Sequence, residues 1–554
     1  MTTPHPVEIE LKLALPPQQV EAFRKRMARR RSAPVQQDLV TRYFDTPDFA
    51  LSGQGMALRV RRLGRRWLQT LKTEGERRGG LSQRAEYEMA IARGTPDWNR
   101  FPAEAQAMVP EALRAQLVPV FETRFKRTAW LIKGRGGAQI EVALDVGEVR
   151  AGEHSQPICE IELELKAGQP DALFALALEW AGQFDCLPFD ISKAERGVRL
   201  AHGVAAAPVK STPLALEDGM SVEDGFVAIV QACLTQFQAN LPGVLGQAQP
   251  YPPLPQAGEG ANVMPKPIDD IEYVHQARVA LRRLRAALRL TRRVCVLPDE
   301  LMEGLRALAA ALGPTRDWDV LCSETLPSIA PHYPDEKGWQ GGMQALEARR
   351  AEVRSGMRTA LTQARPGAWL LAVQRWLLQH GWRLYPRGGH KYPSGGAAPE
   401  AQRFVQLSPL DKWARRALQK GHRTIVRGAR DFKQLPPAQR HALRIAIKRQ
   451  RYAAEFFQSL FGGRRQARYL AVLRDAQDSL GRANDAQIAQ GLLTAAHTTP
   501  HELQLVVDRS PLGQAESGPM GDFVRGWLAA KQADAANSES AGLMRAFLKL
   551  KPYW

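Results

Sequence analysis

Glu8-Ile9-Glu10-Leu11-Lys12 sets two carboxylates and an amine in strict alternation with aliphatic residues. In a β-strand, side chains at i, i+2 and i+4 leave the same face. All three charges therefore point one way, while Val7, Ile9, Leu11 and Leu13 point into a core. Charges of both signs on one sheet face cost desolvation free energy unless something compensates them. A metal ion on Glu8 and Glu10 with a phosphate oxygen on Lys12 would do so. A half-exposed Glu/Lys ladder is the other reading, and on this segment alone the two weigh equally. Glu160-Ile161-Glu162-Leu163-Glu164-Leu165 repeats the device with three carboxylates, and Ala57-Leu58-Arg59-Val60-Arg61 is its cationic form. Leu68–Lys72 brings Lys72, Arg84-Ala85-Glu86-Tyr87-Glu88 mixes the signs, and a strand over Gln139–Asp145 ends in Asp145 before Gly147. Acidic strands separate from basic ones argue for a lumen. The element that positions them is a closed or nearly closed antiparallel barrel lined by charge.

The chemistry of such a lumen follows from its inventory. Adjacent glutamates are hard oxygen ligands suited to Mg²⁺ or Mn²⁺, and no His/Cys cluster suggests zinc. Arg59, Arg61, Lys72 and Lys193 would neutralise a polyanion, the arginines through forked contacts to phosphate oxygens. A divalent metal with a cationic clamp is the equipment of phosphoryl transfer.

The ordered set Glu8-x-Glu10-x-Lys12, Tyr43-Phe44-Asp45-Thr46-Pro47, Leu58-Arg59-x-Arg61, Thr70-Leu71-Lys72, Arg84-x-Glu86, Asp145-x-Gly147, Glu160-x-Glu162-x-Glu164 and Ser192-Lys193-x-x-Arg196-Gly197 resembles the CYTH family. These are the triphosphate tunnel metalloenzymes, and the resemblance spans residues 6–202. It implies an eight-stranded antiparallel tunnel that hydrolyses a triphosphate with a divalent metal. It also implies that Glu8, Glu10, Asp145, Glu160 and Glu162 serve the metal, and that Lys12, Arg59, Arg61, Lys72, Arg84, Arg127 and Lys193 bind phosphate. Glu8, Glu10, Lys12 and Lys193 form its catalytic set. Glu164 is either a third ligand on its strand or the end of the alternation, and Arg124 competes with Arg127 for one cationic slot.

At 554 residues the chain exceeds what one core organises, so more than one domain is expected. Its 76 basic against 57 acidic residues leave +19, the mark of an anionic partner: nucleic acid, a membrane surface or polyphosphate. Five cysteines at 159, 186, 233, 295 and 322 form no CxxC pair, as expected of reduced thiols in a cytosol. No charged-then-apolar leader precedes the first strand, and no apolar run is long enough to span a membrane. The expectation is a soluble cytoplasmic protein.

The character changes after residue 202. The reading assigns residues 1–203 to the tunnel, 204–215 to an Ala/Pro/Ser-rich linker, 216–510 to a helical domain and 511–554 to a tail of small and polar residues around one short helix. Ser221 caps a helix running to Gln238. Residues 242–268 are too rich in Pro and Gly for helix or strand and read as a surface loop, and Tyr385–Pro399 interrupts the helices again. Within this half lies a repeat. His275 is followed by Arg278, Arg282 and Arg285, and His441 by Arg444, Lys448 and Arg451. At ~100° per residue these spacings fall within an arc of about 80°, one stripe on each helix. Downstream, Leu312-Gly313…Asp317 matches Leu480-Gly481…Asp485, so the repeat is a whole supersecondary unit. Two such helices packed as a pseudo-symmetric pair would present a long cationic groove. Lys412, Arg415, Lys420, Arg423 and Arg427 add a further basic helix. Each histidine alone is better read as a buried structural residue.

These motifs, with Arg316-Asp317-x-Asp319-Val320-Leu321 and Arg482-x-Asn484-Asp485, resemble the CHAD domain, the conserved-histidine α-helical domain, over residues 216–505. That resemblance implies a bundle of two pseudo-repeated halves that binds inorganic polyphosphate along His275, Arg278, Arg282, Arg285, His441, Arg444, Lys448 and Arg451. The combined expectation is a multidomain α+β chain that hydrolyses inorganic triphosphate. The alternatives are a non-catalytic polyphosphate-binding protein, or a triphosphatase acting on an organic triphosphate such as thiamine triphosphate or ATP. Specific nucleic-acid binding lacks aromatic residues interleaved with the basic stripe.

Overall fold

The computed structural model describes residues 7–30, 32–247, 270–384, 400–495 and 518–554. Its strands are β1 (Val7–Ala14), β2 (Val35–Asp45), β3 (Ala57–Leu63), β4 (Arg66–Lys72), β5 (Glu76–Arg78), β6 (Leu81–Ile91), β7 (Val118–Lys133), β8 (Gln139–Ala151), β9 (His154–Ala167) and β10 (Leu187–Pro188). Eight close into an antiparallel barrel in the order β1-β9-β8-β7-β2-β3-β4-β6, with β6 returning to β1. The expected eight-stranded tunnel is present, and β5 and β10 add short pairings to it.

Alternation explains how these strands can be charged on one face and fully buried on the other. Leu11 and Leu13 of β1 pack with Ile161, Leu163, Val142 and Leu144 in a core outside the barrel wall. Helices α1 (Val20–Ala28) and α2 (Asp171–Ala181) cover that core, with the Phe23 and Trp180 rings edge to face at 5.2 Å. Asp45, in the Tyr-Phe-Asp-Thr-Pro motif, accepts from the backbone N–H groups of Thr46, Leu51 and Ser52. It pins the turn after β2 rather than facing the lumen. Beyond the barrel lies α3 (Lys193–Ala201).

The rest is helical: α4 (Val222–Val244), α5 (Asp270–Thr291), α6 (Asp299–Ala311), α7 (Gly313–Val320), α8 (Glu336–Gln363), α9 (Pro366–Leu378), α10 (Glu400–Leu407), α11 (Leu410–Arg430), α12 (Pro437–Phe456), α13 (Arg464–Ala495) and α14 (Gly518–Leu548), with shorter turns between them. The barrel, its covering helices and α9 form one compact unit; most of the remaining helices form another. Within the first unit, Leu371 of α9 is buried in the core over β1, and Arg375 grips Asp171 of α2 through two bonds of 2.6 and 2.7 Å. In the second unit, α11, α12, α13 and α14 share Ile425, Ile447, Leu473 and Phe547 in one core.

Two expectations change. The helix opened by Ser221 does not stop at Gln238 but continues through Pro242 to Val244. Proline there removes only one N–H near a helix end, and the apolar residues Leu241 and Val244 are buried. The tail is not one short helix but the 31-residue α14. Met520, Val524 and Leu528 recur at helical spacing and are buried, as are Ala541, Met544 and Phe547. The small and polar stretch between the two sets dilutes the pattern in the sequence. The Pro-rich stretch from 248 onward and the 385–399 segment lie outside the described residues. Among the described residues, no helix is long and apolar enough to cross a membrane.

Candidate functional site

Register turns the alternating strands into facing charges. Glu8 lies opposite Arg84 across β1–β6, Lys12 opposite Glu162 across β1–β9, and Asp145 opposite both Arg127 on β7 and Glu160 on β9. Lys72 lies opposite Glu86 across β4–β6. The acidic strands β1, β9 and β8 are contiguous in the barrel, and β3 and β4 bring Arg59, Arg61 and Lys72 from the far wall. Glu8, Glu10, Lys12, Arg59, Arg61, Lys72, Arg84, Arg127, Glu162 and Lys193 all line one cavity of about 60 Å³.

α3 completes the lumen. Ser192 caps it by accepting from the Glu195 N–H at 3.1 Å, which fixes the direction of its first turn. Lys193, Arg196, Gly197 and Leu200 then share its buried face. Gly197 is required by the close approach of Phe121, because a Cβ there would lie 2.1 Å from the ring. Lys193 Nζ donates to Asp145 at 2.7 Å and to Glu162 at 2.9 Å, and also to Glu160. The carboxylate oxygens of these three acids lie within 4.8 Å of one another. Burial works against the Lys193 charge, but Asp145, Glu160 and Glu162 outweigh it and hold the ammonium well above its ordinary range. Burial likewise opposes the charge of Glu162, while Lys193 and Arg127 keep it well below the usual carboxylate range.

Glu8 and Glu10 belong to a second constellation. Arg84 donates to Glu8 at 3.2 Å and to Glu10 at 2.9 Å, Lys72 to Glu8 at 2.7 Å, and Lys12 Nζ sits 3.0 Å from Glu10. Lys12 links the two groups, 3.7 Å from Glu162. Of the five metal-side carboxylates expected from the sequence, the structure thus gathers Asp145, Glu160 and Glu162 and sets Glu8 and Glu10 beside Arg84 and Lys72. On the cationic wall the balance is mixed: burial opposes the Arg59 charge, but Tyr43, Glu86 and Glu8 hold that guanidinium above its ordinary range, whereas Lys72 and Arg61 move the other way. Burial together with Arg59 and Arg84 pulls the Lys72 pKa down despite Glu8 and Glu10. Burial together with Arg59 and Arg127 pulls Arg61 down to about 10. Crowded cations of this kind are stabilised by an added anion.

Arg127 faces the lumen and bonds Asp145 at 2.7 and 2.8 Å, whereas Arg124 is exposed and pairs with Glu122. Glu164 lines the cavity and bonds Lys166 at 2.6 Å, and burial raises its pKa. Three further charged residues at the site have no role assigned from the sequence. Arg196 pairs with Glu160 at 3.1 Å, Glu86 bonds Lys72 at 3.1 Å, and Glu141 lines the cavity. Each carried a signal. Arg196 falls one turn after Lys193, while Glu86 and Glu141 share strand parity with Arg84 and Asp145.

In the second unit, α5 and α12 pack together and bring their stripes to one place. Arg278 approaches Asp317 at 4.0 Å, and Arg282 lowers the pKa values of both Arg444 and Lys448 by repulsion, after burial. Lys448 falls to about 8. Nε of Arg282 is buried without a hydrogen-bond partner. The Leu-Gly…Asp repeats converge as well, since Asp485 raises the Asp317 pKa after burial has done so. The stripes are not equivalent: His275 is half-buried with its pKa lowered by burial and Arg316, whereas His441 is exposed. Arg285 is exposed, and Arg451 turns to Gln477 at 2.9 Å and to Glu455.

A family model described as the CYTH domain matches residues 7–198, and one described as the CHAD domain matches residues 228–494. Over 196 residues the chain is 37% identical to an inorganic triphosphatase of Haemophilus influenzae. That match takes in 35% of this chain and 54% of the relative, so the chain spans about half the length of the curated relative it matches. Among solved structures it is similar to the CHAD domain from the plant Ricinus communis, at 27% identity over 63% of this chain and 98% of that one, with a TM-score of 0.48. It is also similar to a Hippeastrum protein described as a putative adenylyl cyclase with a dominant triphosphatase activity, at 18% identity over 34% and 95% of the two chains, with a TM-score of 0.26.

Proposed function

For a chain that carries a CYTH domain followed by a CHAD domain, we propose that the tunnel hydrolyses inorganic triphosphate to diphosphate and phosphate with Mg²⁺ or Mn²⁺, and that the helical region binds inorganic polyphosphate. The observation that carries the first part is one lumen holding a carboxylate trio at Lys193 and a facing wall of Arg59, Arg61 and Lys72. The trio fits a hard divalent cation, because its donors are all carboxylate oxygens close enough to converge. A metal bound there supplies positive charge to phosphoryl oxygens and lowers the pKa of a bound water. Arg59, Arg61 and Lys72 grip the phosphate chain, Arg59 and Lys72 exchanging carboxylate contacts and Arg61 its contact with the Thr41 hydroxyl for cation–phosphate ones. Arg84 holds Glu8 and Glu10 in place, and Lys193 holds Asp145, Glu160 and Glu162 converged. The similarity to an inorganic triphosphatase supports inorganic triphosphate as the substrate. Cysteines without a disulfide among the described residues support a cytoplasmic setting.

The polyphosphate reading is supported by the crowded cations of α5 and α12, whose charges repel one another and are satisfied by an extended anion. Phosphate release by the full chain, assayed on inorganic triphosphate, ATP, thiamine triphosphate and long polyphosphate with Mg²⁺, Mn²⁺ or EDTA, tests the whole proposal. Turnover of triphosphate well above the other substrates, abolished by EDTA, is expected. Equal rates on ATP overturn the substrate, and no turnover with either metal leaves the polyphosphate-binding protein as the better reading.

A further inference from the structure

A second cationic cavity lies within the helical unit, where α5, α11 and α12 meet, and it has a volume of about 440 Å³. Arg289, Arg292, Arg293, Arg416, Lys420 and Arg449 line it. No carboxylate is found among the described residues of its lining, and none of the six cations forms an ion pair with a described acid. On α5 it continues the stripe argued above for polyphosphate, since Arg289 lies two turns beyond Arg282, and on α12 it departs from it. Arg449 sits beside Lys448 in sequence but feels Arg289 and Arg292, which lower its pKa after burial, whereas Lys448 feels Arg282 and Arg444. As successive residues the two leave α12 about 100° apart.

The lining differs in kind from the tunnel's. Between the cations lie Trp413, Leu290, Val294 and Phe456, with alanines from all three helices. The alanines leave a shallow apolar floor. Gly421 lets α11 approach α12, since a Cβ there would lie 1.9 Å from Gln450 Oε1. Gln450 closes the inner end by donating to the Leu418 carbonyl at 3.0 Å and to the Tyr469 hydroxyl at 3.1 Å. Trp413 is half-buried, braced edge to face by Phe457 at 6.1 Å. An inorganic chain has no use for an apolar floor or an indole, and an uncharged aromatic ligand has no use for six unpaired cations. The volume is that of a site for one small organic molecule rather than a track for a polymer.

We propose that this pocket binds a nucleoside di- or polyphosphate, its phosphates on the arginine and lysine rim and its base on the apolar floor beside Trp413. Stacking on an indole and charge pairing with guanidinium groups are the two forces that hold such a ligand. The test is calorimetry on the full chain in EDTA with ADP as the probe and inorganic diphosphate as its control. ADP is expected to bind at least about fivefold more tightly than diphosphate, the factor that one stacked base contributes. Lys420→Glu combined with Arg449→Glu, both at exposed positions, should weaken ADP at least tenfold and leave triphosphate turnover unchanged. Trp413→Leu should bring ADP down to the affinity of diphosphate while diphosphate itself still binds. Arg59→Ala, in the tunnel, should leave ADP binding intact. Diphosphate binding as tightly as ADP would make the pocket a simple anion site. Unchanged ADP affinity in the Lys420/Arg449 variant, or its loss in Arg59→Ala, would place ADP elsewhere. Any of these three results overturns the proposal.

Discussion

Lys193 in the tunnel and Lys448 on α12 are both lysines withdrawn from water, and their surroundings drive them in opposite directions. Lys193 is held charged by three carboxylates, whereas Lys448, beside Arg282 and Arg444 with Asp485 as its acid, drops to about 8. The tunnel matches acid against base, strand opposite strand, and so can be buried. The helical stripe leaves its cations under-compensated and keeps them nearer the surface. A balanced lumen suits chemistry on a short ligand that must displace specific contacts. An unbalanced stripe suits retention of a long anion by accumulated charge. Net charge alone does not separate the two roles, because both regions are rich in Lys and Arg.

The strongest way to break the comparison is to unbalance the tunnel. Glu162→Gln removes one charge from the trio and keeps the shape, so the fold should survive while triphosphate turnover falls by at least about a hundredfold, as expected when a group supporting transition-state charge is lost. Phosphate release and circular dichroism on the same sample check both halves. Turnover near that of the unmodified chain would mean that the trio is a structural ion-pair network.

Reversing the stripe comes next. Arg282→Glu with Lys448→Glu should weaken long-chain polyphosphate by more than tenfold without changing triphosphate hydrolysis. The remaining affinity should fall steeply as salt is raised, since phosphate contacts release counterions. Duplex DNA bound as tightly as polyphosphate would reduce the stripe to a generic anionic dock.

A subtler effect follows from the lowered Lys448 pKa. At pH 9 this lysine is mostly neutral in the free chain, and a bound polyanion favours its protonated form. Binding at pH 9 should therefore take up close to one proton, and binding at pH 7 almost none. The sign for folding is the reverse: the fold disfavours charged Lys448, so its contribution to stability is complete above the ordinary 10.5 and is lost as pH falls through about 8. Calorimetry in buffers of different ionisation enthalpy measures the uptake. Lys448→Arg should abolish it while retaining binding, because arginine stays protonated.

How much of this was legible depended on whether the relevant residues lie on one element. The alternation of Glu8, Glu10 and Lys12 and of Glu160, Glu162 and Glu164 is local, and strand parity alone assigns those residues to a charged face. The repeated stripes of α5 and α12 are local too. Which acids converge is not local: Asp145, Glu160 and Glu162 meet because β8 and β9 pair in one register and α3 delivers Lys193. The cavity beside Trp413 draws cations from three helices whose packing no spacing rule specifies. α14 reads as one short helix in the sequence because the small and polar residues at its centre hide two apolar sets that pack into different cores.

The smallest expected effect separates two neighbours on β7. Arg124 and Arg127 are three residues apart and equally plausible as phosphate ligands by sequence. Arg127 is fastened to Asp145 inside the lumen, while the Arg124 side chain is 53% exposed and reaches Glu122 along its own strand. An exposed pair of that kind contributes well under ~1 kcal/mol. Arg124→Ala should therefore leave triphosphate turnover and affinity within about twofold of the unmodified chain, with a melting temperature nearly unchanged. Arg127→Ala should weaken both, because it removes a lumen cation and leaves Asp145 to Lys193 and Glu162 to Lys193 and Lys12. Steady-state kinetics of the two variants side by side decide it. A larger loss in Arg124→Ala than in Arg127→Ala would mean that the β7 register presents the other face of the strand to the substrate.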